Sequence, residues 1–155
     1  MHGNDIEDSR RASRATGSHE SVVSRDNVEL VAAALGTLNA RDAEAAARHM
    51  HEDVEWRPLL SGALEGSVYR GREGMVRYAD DLDEVFLDTH AEPISLEPVA
   101  PDRVLLGTRV TARGRESGVP LDVQIWSVWE VRDGKLYRGT AYWSRAEALG
   151  ALGER

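Results

Sequence analysis

The chain has 155 residues, 41% apolar and 30% charged, and its 27 acidic against 19 basic side chains leave a formal net charge of −8. A chain of this size buries roughly 68–70% of its unfolded surface as one soluble domain without a staple, and the lack of cysteine removes disulfides, thiolate metal sites and cysteine nucleophiles together. The acidic balance speaks against nucleic acid, whose affinity comes from lysine and arginine displacing counterions; no apolar run approaches the ~18 residues of a membrane span, and no apolar export signal stands at the N-terminus, so the cytoplasm is the expected compartment.

Residues 1–24 are rich in Ser, Arg, Asp, Glu and Gly and predict a disordered polar tail, in which Arg10, Arg11 and Arg14 are solvated; one domain is expected over 25–155. Asp26, with Glu29 three residues on, reads as a capping box. Val28, Val31, Ala32, Leu35 and Leu38 then recur at helical spacing and predict a first helix over 26–39. Asp42 predicts the N-cap of a shorter helix over 42–50, joined through Ala40 and Arg41. A short strand at Val54-Glu55-Trp56 follows. Gly71 opens a third helix whose stripe is Met75, Tyr78, Ala79, Leu82, Val85 and Phe86. Its Asp80, Asp81, Asp83 and Glu84 read as a solvated face, because they lack the spacing and glycine of a calcium loop, and no metal is expected.

From Asp88 the period changes from 3.6 to 2, and helix gives way to sheet. Val104, Leu106, Thr108, Val110 and Ala112 share the core-facing parity of one strand. Val123, Ile125, Ser127, Trp129 and Val131 share that of the next, beyond a turn at Gly114 to Pro120. Asp133-Gly134 is a hairpin signal, and Tyr137, Gly139, Ala141 and Trp143 lie on one side of the strand that follows. Ser144 and Glu147 predict a capped helix over 145–151. The expected fold is α+β: three N-terminal helices on a curved antiparallel sheet, three of its strands long, and a short C-terminal helix. Such layers leave a cone-shaped apolar cavity between them. Trp126 and Val128 fall on the outer parity, where an apolar face needs cover, so a homodimer through that face is expected.

The segments LNARDAEAAARHMHEDVEW, YRGREGMVRY, RVLLGTRVTARGRESGVPLDV and VWEVRDGKLYRGTAYWSRAEALGALG resemble, over residues 26–153, the SnoaL-like branch of the nuclear transport factor 2-like superfamily. That superfamily also holds ketosteroid isomerases, limonene epoxide hydrolases and polyketide cyclases, and the resemblance implies the cone fold. The isomerase tyrosine would align with Ala34, the general base with Trp56, Arg57 or Pro58, and the acidic donor with Ser127. The two hydrolase aspartates would align with Thr111 and Ala141. The resemblance therefore implies neither reaction, since each lacks its carboxylates.

Two catalytic candidates remain. His49, in the apolar phase of the second helix beside Ala46 and Met50, is an imidazole suited to acid–base work near neutrality, and Ser127 is a neutral donor on the inner parity. A His49–His51 metal pair would need strand geometry and a third ligand, so no metal and no cofactor are expected. Trp56, Tyr69, Tyr78, Thr108, Trp129 and Trp143 are the expected walls for an apolar small molecule. The competing reading is a noncatalytic dimeric accessory module whose cone is filled by those same aromatics, and an open cavity discriminates between the two.

Overall fold

The computed structural model describes residues 22–60 and 67–153. The expected tail lies outside the described residues except at 22–24, which are helical: residues 22–39 form α1, starting before the expected Asp26 cap. Asn27, Val31 and Ala34 are its buried residues, at spacings of four and three, while Ala32 of the expected stripe is exposed. Asn27 donates to the Pro101 carbonyl. Asn39 both donates to and accepts from the backbone of Ala91, at 2.8 and 2.9 Å, so the two ends of the helix are pinned to the sheet.

Asp42 caps α2 (Ala43–Arg48) by accepting from the Ala45 N–H at 3.0 Å. This helix is shorter than expected. Its last turn closes at His49, whose carbonyl accepts from Leu136, and Met50 already belongs to β1 (Met50–Arg57). A two-residue β2 (Tyr69–Arg70) leads into α3 (Gly71–Val85), which passes at Phe86 straight into β3 (Phe86–Ala100). Arg115 serves the carbonyls left open at the end of α3, its Nε donating to Asp83 and its backbone N–H to Val85. Then come β4 (Arg103–Gly114), β5 (Pro120–Arg132), β6 (Lys135–Tyr142) and α4 (Arg145–Gly153).

The six strands lie in one sheet in the order β2-β1-β6-β5-β4-β3. Every neighbouring pair is antiparallel except β1 with β6, which is parallel, a departure from the expected all-antiparallel sheet. After α3 the sequence signals three long strands where the structure has four, β3 to β6. The extra one, β3, is an edge strand interrupted by Pro93 and Pro98 and by three register shifts, the first beside Asp88 at φ 55°, so its alternation is broken. The Asp133-Gly134 hairpin has positive φ at both residues, as a two-residue turn of this hand requires.

The parities of β4 and β5 hold. Val104, Leu106, Thr108, Val110, Ala112, Ser127 and Trp129 are buried, and Trp129 and Trp126 belong to opposite faces. On the outer face α4 packs Ala148, Leu149 and Leu152 against Leu105, Val128, Trp126 and Tyr142. Half of the expected α4 capping box forms: Ser144 Oγ accepts from the Glu147 N–H, while the Glu147 carboxylate accepts from the N–H of Trp143 and not of Ser144. Arg145 holds the helix to β3 through Glu97, and with help from Ser95 keeps that carboxyl below its ordinary range. Val128 is therefore covered by its own chain, which removes the main reason for expecting a partner there. No helix among the described residues is long and apolar enough to cross a membrane.

Candidate functional site

Between the helices and the inner face of the sheet lies a cavity of about 230 Å³. Its wall is mainly apolar: Val31, Leu35 and Leu38 from α1, Met75 and Leu82 from α3, Leu106, Val110 and Ile125 from the sheet. Trp56 and Trp129 stack on it with centroids 4.8 Å apart and planes at 14°, and Tyr78 meets Trp56 edge-on at 5.9 Å. The stack has a local cause. Both tryptophans are register partners of Gly139, one on each neighbouring strand, and a Cβ on that glycine would come within 2.6 Å of the Trp129 ring. A side chain on β6 here would collide with the Trp129 ring and disturb its stack on Trp56.

Tyr78 is partly buried against the core, and the desolvation of its phenol pushes it up to about 12, with Tyr69 adding to the rise. The Trp56 indole, near the Tyr78 oxygen, opposes that rise, yet its N–H makes no hydrogen bond of acceptable geometry to the protein. At neutral pH Tyr78 is therefore a neutral donor and not a base. Tyr69 stands behind it, ring centroids 5.3 Å apart, and donates to Asp81 Oδ2 at 2.5 Å. Thr108 donates to the Ile125 carbonyl at 3.0 Å, which leaves its hydroxyl committed to the sheet.

Of the residues singled out from sequence, Trp56, Tyr78, Thr108, Ser127 and Trp129 come together on this wall; His49, Tyr69 and Trp143 do not line it. His49 is displaced because α2 stops one residue before it, so the apolar phase that suggested it is broken. Trp143 lies past the end of β6, at the start of the α4 cap, and is 51% exposed. Tyr69 is core behind Tyr78. The wall instead includes polar residues that sequence reasoning missed: Asn39, Arg41, Asp80, Asp83 and Thr89. Arg41 Nη1 lies 2.6 Å from Asp83 Oδ1, joining the α1–α2 connection to α3. Helical spacing held a clue, since Asp83 lies one position from Leu82 and four from Ala79, at the border of the apolar stripe. No cluster of metal-ligating side chains occurs among the described residues.

The SnoaL-like domain pattern matches residues 31–139. The chain belongs to the SnoaL-like family. Solved structures of the nuclear transport factor 2-like, ketosteroid isomerase-like fold resemble most of its length. TerC, co-crystallised with polyporic acid, is 23% identical and has a TM-score of 0.67, covering 84% of this chain and 99% of its own. A proposed polyketide cyclase from Xanthomonas campestris pv. campestris is 19% identical at a TM-score of 0.66, covering 81% and 95%. A hypothetical protein from Catenulispora acidiphila, in complex with trimethylamine, is 18% identical at 0.65, covering 81% and 92%. At these identities the likeness establishes the fold. No curated protein matches the chain.

Proposed function

We propose that this SnoaL-like protein binds a small, flat, largely apolar molecule in its cone, against the Trp56–Trp129 pair. The observation that carries the reading is the cavity of about 230 Å³ beside stacked indoles whose approach depends on Gly139. A cone serving only as core would close over such space, because interiors pack to crystal-like density. A volume just under the usual ligand range of roughly 300–1,000 Å³ suits a one- or two-ring compound. Saturation-transfer NMR with small aromatic compounds tests it: transfer to bound compounds is expected, and Val110→Phe, which fills the wall, should abolish it while the protein stays folded.

Catalysis in this cone would run through Asp80. It is the wall carboxylate without an ion pair among the described residues, whereas Asp83 is held by Arg41, and Tyr78 stays a phenol. Turnover of a bound compound that persists in Asp80→Asn would remove that role. For assembly, we propose a homodimer through the part of the outer sheet face that α4 leaves open, where Arg109, Asp122 and Gln124 are exposed, since Trp126 and Val128 both pack against α4.

A further inference from the structure

Among the described residues, three buried side-chain polar atoms have no hydrogen-bond partner, and two of them, Trp56 Nε1 and Thr89 Oγ1, belong to residues of the cavity wall. Trp56 is 8% exposed, so its N–H is cut off from bulk water, and the Tyr78 oxygen beside it makes no hydrogen bond of acceptable geometry with it. A buried donor left unmade costs about 1–3 kcal/mol, and folded chains keep few such groups unless something else satisfies them. The indole nitrogen can only donate; it has no lone pair to accept with. Whatever meets it must present an acceptor.

The charged residues on the wall set the second condition. They are one guanidinium, Arg41, and two carboxylates, Asp80 and Asp83, and the guanidinium is already paired with Asp83. No cation is left over to receive an anion, and a desolvated anion without a partner is strongly disfavoured.

Resting on the reading of the cavity as a ligand site, we propose that Trp56 determines its specificity: the site selects an uncharged ring compound bearing an acceptor oxygen, which takes the Trp56 Nε1–H, and rejects anions of the same size. Thr89, able to donate and accept, meets a second polar group of the ligand. The stacked partner Trp129 supplies area and no selection.

Three probes of one shape separate the contributions. Acetophenone has a ring and an acceptor oxygen, α-methylstyrene replaces that oxygen with a methylene, and benzoate carries a full negative charge. Calorimetric titration of the wild-type protein should show acetophenone binding at least as tightly as the more hydrophobic α-methylstyrene, with benzoate at least about tenfold weaker. In Trp56→Phe, which keeps a ring and removes the N–H, the preference should shift about tenfold toward α-methylstyrene, the size of one net hydrogen bond. Trp129→Phe should weaken both neutral probes alike and keep their ratio, so it provides the comparison if Trp56→Phe does not fold. Wild-type protein that prefers α-methylstyrene, or a ratio unmoved in Trp56→Phe, would overturn the role of Trp56, and benzoate binding as tightly as acetophenone would overturn the exclusion of anions. Failure of all three probes to bind at millimolar concentration would instead count against the cavity as a ligand site.

Discussion

Trp129 lies over Gly139, its cross-strand partner, in the space a side chain there would fill, and stacks on Trp56, the partner of the same glycine on the other neighbouring strand. The outer face repeats the arrangement, with Trp126 over Gly107, where a Cβ would stand 2.5 Å from the ring. The two glycines thus set two tryptophans on opposite faces, one toward the cavity and one under α4.

Gly139→Ala and Gly107→Ala form a matched pair. Each should cost about 1–3 kcal/mol in chemical denaturation, the usual penalty of overpacking. The alanine at 139 pushes Trp129 and should weaken ligand binding beyond the loss of stability, whereas the one at 107 acts on the outer face and should leave affinity unchanged. Equal affinities in the two variants would disconnect the stack from the cavity.

Tyr78 makes the fold sensitive to alkali. Its phenol ionises near 10 in the unfolded chain and near about 12 in the folded one, so between those values the unfolded state has lost a proton that the folded state retains. Stability is therefore unaffected below pH 10 and falls as pH rises toward 12, by a total on the order of 2–3 kcal/mol. Tyr78→Phe should flatten that decline in denaturation measured at stepwise alkaline pH.

Asp42 carries the start of a helix of only six residues. Asp42→Ala removes the acceptor for the Ala45 N–H and should cost about 0.5–2 kcal/mol, read as a fall in Tm of a few degrees. Arg41→Ala next to it breaks an ion pair whose partners are each 49% exposed, and should cost less than about 1 kcal/mol.

His49→Leu should change ligand affinity by less than about twofold. The residue caps α2 and does not line the cavity, and the substitution keeps similar bulk. An affinity change of tenfold, by calorimetry, would place the imidazole closer to the ligand than the described structure does.

The proposed dimer is read by light scattering at tens of micromolar, where twice the chain mass is expected. Gln124→Arg, exposed on the outer face and outside the α4 cluster, should lower that mass without unfolding the protein. A monomeric wild-type protein would remove the proposal.

Strand parity was legible because a side chain's face depends on position alone: Val104 to Ala112 and Ile125 to Trp129 point inward as their alternation requires. Turns and caps were legible for the same local reason, and Asp42, Ser144 and Asp133-Gly134 behave as their chemistry dictates. The sequence therefore determined the order of the helices and of the last three strands, the inner face of β4 and β5, and three aromatic residues of the cavity wall, Trp56, Tyr78 and Trp129. Where α2 stops was decided by tertiary contacts: Leu136 donates to the His49 carbonyl and Lys135 to that of Arg48, which turns Met50 into a strand and takes His49 off the wall. The parallel pairing of β1 with β6, the cover α4 lays over Val128, and the meeting of Arg41 with Asp83 likewise join residues distant in the chain. Local periodicity says which face a residue occupies, and only the packed chain decides what faces it.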